Sequence, residues 1–162
     1  MSTDPDRTNH PTGHDRPTRL SEHRDVVIVG ARAAGAATAM LLARAGVDVL
    51  VVERAGYGAD TLSSHALMRG GVEQLRRWGL LDRVAATTPP VHRSVFEFGG
   101  EPLVVDVADE FSDLPLYAPR RTVLDPILVD AARDSGAEFR FGTRMVDVVR
   151  DRTGRVRGID IE

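Results

Sequence analysis

The chain has 162 residues, enough for about one domain with a real core. Its 42% hydrophobic and 28% charged residues are ordinary for a soluble globular domain, and a net charge of -3 argues against nucleic acid or membrane surfaces as partners. No cysteine is present, which excludes disulfides, thiol nucleophiles and thiolate metal sites.

All 21 basic residues are Arg, a bias best read as codon usage in a GC-rich genome. No apolar run is long enough to cross a bilayer. The N-terminus lacks the apolar core of a signal peptide, so the cytoplasm is the expected location. Residues 1–24 are Pro, Thr, Asp, Arg and His with almost no apolar side chain, and they read as a disordered tail. His10 and His14 stand at helical metal-ligand spacing. Pro11 and Gly13 break that helix, and no metal site is expected.

Val26 to Val29 is a short β-branched run, read as a strand buried on both faces. Gly30, Ala31, Arg32, Ala33, Ala34 and Gly35 form a turn. Ala34 to Ala45 reads as a helix closed by Gly46 in a left-handed cap. Val47 to Val52 returns as a second strand, ending in Glu53. This is the first βαβ unit of a dinucleotide-binding fold. Between Gly30 and Gly35 there is no Ser, Thr, Asp or Asn to cap the helix, which leaves its first N–H groups and the positive end of its dipole for a pyrophosphate. A carboxylate at the end of the second strand suits the hydroxyls of an adenosine ribose and repels a 2′-phosphate. The middle glycine of the G-x-G-x-x-G fingerprint is replaced by Arg32, whose guanidinium is expected at the rim of the phosphate site or turned to solvent.

After a loop over Ala55 to Ser64, Val72, Leu75, Trp78 and Leu81 recur at helical spacing, with Gly79 as a break and Trp78 as a core residue. Ser63, Ser64 and His65 lie close together in sequence, yet no orienting third group or oxyanion signature accompanies them, so hydrolase chemistry is not expected. Ser94 to Phe98 and Leu103 to Val107 predict a hairpin about Gly99-Gly100. Asp109 to Pro119 reads as an irregular loop. Arg120-Arg121-Thr122 leads into a helix over Val123 to Ser135, closed by Gly136, with Leu124, Ile127, Leu128 and Ala131 as its apolar stripe and Pro126 near its first turn. Ala137 to Phe141 predicts a strand. Met145 to Val149 and Val156 to Ile161 predict a second hairpin about Thr153-Gly154.

Three stretches, VIVGARAAGAATAMLLARAGVDVLVVER, DTLSSHALMRGGVEQLRRWGLLDRV and APRRTVLDPILVDAARDSGAEFRFGTRMVDVVRD, resemble in order and spacing the N-terminal part of FAD-dependent monooxygenases of the aromatic-hydroxylase type. Reductases of the geranylgeranyl type are similar over the same stretches. The resemblance implies an α/β Rossmann-like FAD/NAD(P)-binding fold with an added β-hairpin. It implies that the turn from Gly30 to Gly35 holds the FAD pyrophosphate, that Glu53 with Arg54 beside it meets the adenosine, and that Arg121, which opens an R-x-x-L-x-x-x-L pattern with Leu124 and Leu128, contacts the flavin. It also implies the reaction: NAD(P)H reduces FAD, oxygen gives a flavin hydroperoxide, and a small, possibly aromatic, substrate is hydroxylated. The family continues to an Asp-Gly motif and a Gly-Asp motif, and neither dipeptide occurs here. Residues 25–162 are therefore expected to be the N-terminal portion of an FAD-binding domain, truncated at the C-terminus, with a separate C-terminal chain as a conceivable partner. No residue of this chain can be named catalytic from the sequence. The alternatives are an inactive nucleotide-binding fragment and an NAD-binding dehydrogenase domain.

Overall fold

The computed structural model describes residues 21–63, 66–107 and 114–162. In chain order the elements are β1 (Val26–Val29), α1 (Ala33–Arg44), β2 (Val49–Glu53), α2 (Arg69–Trp78), α3 (Leu81–Ala85), β3 (Pro90–Val91) and β4 (Arg93–Phe96). They are followed by β5 (Leu103–Asp106), β6 (Leu116–Tyr117), α4 (Arg121–Asp134), β7 (Glu138–Phe141), β8 (Met145–Arg150) and β9 (Val156–Ile161). The expected tail and the histidine pair within it lie outside the described residues, apart from residues 21–24. So do Ser64 and His65.

A parallel three-stranded sheet, ordered β1-β2-β7, is the frame on which the rest sits. Val26 to Val29 register with Val49 to Val52, and Leu50 to Glu53 with Glu138 to Phe141. Residues in register point the same way, so Val26, Ile28, Val49 and Val51 share a face. That face meets α1 and α4, and Met40, Ala36, Leu124, Leu128 and Ala132 complete the core there. On the opposite face, Leu50 and Val52 are buried, while Glu138 and Arg140 of β7 enter an ionic network with Glu22 and Arg24.

The central strand β2 is buried along its whole length, as a parallel strand with two neighbours should be. β1 corrects the expectation of burial on both faces. Among the described residues it pairs only with β2, and Val29 is 53% exposed with Val27 also open. Its apolar character serves one face here, and its outer edge carries unpaired backbone groups.

α1 ends as expected, with Gly46 in the left-handed region at φ 82 and its N–H bonded to Ala43 O at 2.9 Å. Gly79, at φ 76, separates α2 from α3, and half-buried Trp78 packs at the edge of the core. α4 begins at Arg121, two residues before the expected start, with Arg120 as its N-cap. This moves Pro126 from the first turn into the second. There its missing N–H removes a bond to the carbonyl of Thr122, an exposed residue that water can serve. The predicted loop over 109–119 conceals strand β6, which pairs with β3 and bridges to Leu67. Two-residue strands show no alternation from which a sequence reading could find them. Both predicted hairpins are present, β4 with β5 and β8 with β9.

Candidate functional site

Gly30 leaves β1 at φ 103, a conformation that favours glycine, and its N–H bonds to Val52 O at 2.8 Å. Gly35 answers it from the first turn of α1. A Cβ on Gly35 would lie 1.9 Å from the carbonyl oxygen of Gly30 and 3.3 Å from Ile28 Cγ2. The two glycines thus let the helix start against the end of the strand, a closeness that no side chain at position 35 permits. Arg32 is the N-cap residue of α1 in extended conformation and gives the helix no side-chain cap; the first turn contains no acidic residue. The end of α1 is therefore free to receive an anion.

Glu53 closes the turn from below. Its Oε2 accepts the N–H of Ala31 at 2.8 Å, and its Oε1 accepts the N–H of Ala55 at 2.9 Å. Burial alone would push this carboxyl up. The two backbone bonds and the guanidinium charges of Arg32 and Arg54 outweigh it, and the group lies below the ordinary glutamate value. The side chain is ionised at neutral pH, and each carboxylate oxygen keeps acceptor capacity beyond its backbone partner. Glu53 also lines a cleft of about 310 Å³ at the ends of β1 and β2, with Gly30, Arg54, Thr143, Arg144 and Met145 around it. This is where open parallel sheets bind ligands, beyond the carboxyl ends of their strands. Arg54 is exposed on the rim.

A second cleft, of about 430 Å³, is lined by Asp60, Thr61, Leu62, Ser63, Arg120 and Arg121. Exposed Arg120 pairs with Asp60 at 2.7 Å. Arg121 lies largely buried in the first turn of α4, and its Nε donates to Asp125 Oδ1 at 2.9 Å. The loop carrying Asp60 is held to α4 by Tyr57, whose hydroxyl donates to Asp130 at 2.8 Å. The ring of Tyr57 also meets the Arg133 guanidinium at 5.3 Å.

The structure does not turn the Arg32 head out to solvent, one of its two expected placements. Its head turns inward, where Nη1 donates to the Ala59 carbonyl at 2.6 Å and to Asp125 Oδ2 at 3.2 Å. The reason is a carboxylate on α4, Asp125, which is buried beside the turn. Sequence reasoning missed this residue. The available signal was an acid set four residues after Arg121 within the apolar stripe of α4, between Leu124 and Ile127. The structure thus brings Gly30, Glu53 and Arg54 together at the first cleft and puts Arg121 at the second, while Ala31 and Arg32 lie beside Glu53 and Asp125 and the rest of the turn, Ala33 to Gly35, lines neither cleft.

Among the described residues no helix is long and apolar enough to cross a membrane. The profile of the FAD binding domain family matches residues 23–158. A menaquinone reductase of Mycolicibacterium smegmatis is 32% identical over 143 residues, covering 88% of this chain and 35% of the relative. A 2,4-dichlorophenol 6-monooxygenase of Delftia acidovorans is 30% identical over 151 residues, covering 80% of this chain and 25% of its own length. Among solved structures, a probable FAD-dependent monooxygenase from Pseudomonas aeruginosa superposes with a TM-score of 0.73 at 26% identity, over 86% of this chain and 38% of that one. The chain spans about a third of the length of the first curated relative. The uncapped helix start, the glycine contact, the strand-end carboxylate and the family match agree, and the chain belongs to the family of FAD binding domains, with the Rossmann-like fold of flavoproteins.

Proposed function

We propose that this chain holds the ADP half of FAD, within a flavin-dependent oxidoreductase of the monooxygenase and quinone-reductase kind. The observation that carries the reading is Glu53, which fixes the glycine turn through Ala31 while facing the cleft beside Gly30. In this reading the N–H groups at the start of α1, from Arg32 to Gly35, receive the diphosphate, and Gly30 and Ala31 shape its approach. Glu53 accepts from the ribose hydroxyls. Arg54 borders the adenosine, and Arg121 reaches the flavin side through the second cleft. Residues 25–162 form this FAD-binding portion, and Glu22 and Arg24, expected in the tail, are instead tied to its sheet through Asp48, Glu138 and Arg140.

The residues present fit FAD: an open helix N-terminus, a strand-end acid and a cleft beside Gly30 that the acid lines. Bound FAD supplies electron transfer from a reductant, for which NAD(P)H is the proposed donor, to oxygen or to an organic acceptor. The protein's part is to bind and orient it. The glycine turn sets the depth of the diphosphate, the ionised Glu53 sets the ribose, and Arg54 and Arg121 supply positive charge at the two clefts. A small, possibly aromatic, molecule is the proposed substrate, in keeping with the dichlorophenol monooxygenase relative. The menaquinone reductase relative favours a second reading, in which a quinone-like acceptor takes the electrons.

Titration of the purified chain with FAD and with FMN, followed by flavin fluorescence, tests the reading. A site for the ADP half predicts saturable binding of FAD and little binding of FMN, which lacks the adenosine. Equal affinity for the two would remove the argument from Glu53. Oxidation of NAD(P)H by the flavin-loaded protein, with phenols in one arm and quinones in another, then separates monooxygenase from reductase.

A further inference from the structure

We propose that Asp125 is a positioning residue for the dinucleotide: it ties down the arginine that occupies the fingerprint's glycine position and aims Arg121 into the neighbouring cleft. The inference rests on the FAD reading above. Its geometry is direct. One buried carboxylate accepts from Arg32 through Oδ2 at 3.2 Å and from Arg121 through Oδ1 at 2.9 Å, joining the turn before α1 to the first turns of α4.

Stability alone gives little reason for the arrangement. A buried carboxylate with two cations carries a heavy desolvation cost, and an apolar side chain at such a place is often as stable or more so. Position 125 lies within the apolar stripe of α4, between Leu124 and Pro126, where an apolar residue would pack. Function gives a reason. A long cation at position 32 stands where the fingerprint needs bare backbone for the diphosphate to approach. Left free, its head would sweep the uncapped start of α1. Asp125 and the Ala59 carbonyl take that head to the far side. Among the described residues Arg121 bonds only through Nε, so its two terminal nitrogens remain for the ligand side of the cleft.

This gives an asymmetric expectation. Losing the arginine is tolerated, and losing its anchor is not. The test is a cycle of Asp125→Asn, Arg32→Gly and the double variant, with FAD affinity read by fluorescence and folding by thermal melting. Arg32→Gly should bind FAD within about threefold of the parent, and Asp125→Asn should bind about tenfold more weakly, the size of a lost charged hydrogen bond. The double variant should recover at least about threefold of that loss, since no free Arg32 remains to block the turn. A merely structural aspartate would show no such rescue. If Asp125→Asn fails to fold, FAD affinity of the double variant is compared with Arg32→Gly: affinity within about threefold supports the anchor, and affinity about tenfold weaker overturns it. A folded Asp125→Asn with parental affinity, or a double variant no better than the single, overturns the inference and leaves the FAD reading standing. A parent chain that does not bind FAD overturns both.

Discussion

The βαβ unit and the β4–β5 hairpin treat their apolar residues in opposite ways. In the unit, β2 is wholly buried and the helix start meets the strand end so closely that one added methyl would strike backbone. In the hairpin, Phe96, Phe98, Leu103, Val104 and Val105 are all exposed, Phe98 at 84%, although the strands are regularly paired. Backbone pairing is therefore no guide to where stability lies. Buried area and satisfied polar groups are, and both concentrate around the turn that carries the site. The stable part of the molecule and the proposed binding site coincide.

The largest expected effect that would break this comparison is at Gly35. Gly35→Val forces a side chain into the Gly30 carbonyl, and it should cost about 3 kcal/mol or more and abolish flavin retention. A thermal melt alongside FAD titration checks it, and a variant with parental melting would mean that the turn can open. Next is the core beneath the turn. Met40, fully buried in α1, should cost about 2–5 kcal/mol when cut to Ala, without touching any proposed ligand contact. Denaturant unfolding measures this, and FAD affinity of the folded fraction should stay near parental.

Glu53→Ala combines both properties at smaller size. It strands the N–H groups of Ala31 and Ala55, a loss of about 1–3 kcal/mol, and it should weaken FAD binding roughly ten- to a hundredfold. Its pH signature has a definite sign. The folded-state pKa of Glu53 lies below the ordinary carboxylate value of 4.5, so its contribution is fully present above that pH and is lost as pH falls through the folded value. Glu53→Gln should therefore flatten the acid limb of the stability profile, and an unchanged limb would assign the acid sensitivity elsewhere. The smallest effect belongs to the hairpin. Phe98→Ser should change stability by less than about 0.5 kcal/mol. A larger loss in equilibrium unfolding would show that the hairpin carries weight its exposure conceals.

What could be read in advance follows the range of the interactions. The βαβ unit was legible because its signals are local: a β-branched run, two glycines, a missing cap, a left-handed stop and an acid about twenty residues on. Both hairpins announced themselves through alternation and Gly turns. The Arg32–Asp125 pair was illegible because its partners are 93 residues apart and only packing of α1 on α4 joins them. The open face of β1 was misread for a related reason, since composition reports what a strand can bury and not whether a neighbour is present. β6 escaped because two residues have no period. Pro126 was placed a turn too early because the start of α4 turned on Arg120, whose extended backbone no propensity scale marks as a cap.

The central claim is that the glycine turn, the start of α1 and Glu53 hold the ADP half of FAD. Calorimetric titration with ADP, in the absence and presence of saturating FAD, tests it most directly. The account predicts that ADP binds at one site per chain, that FAD abolishes this heat, and that Glu53→Ala weakens ADP and FAD in parallel. ADP that binds equally well in the presence of FAD, or that is indifferent to Glu53, would contradict it.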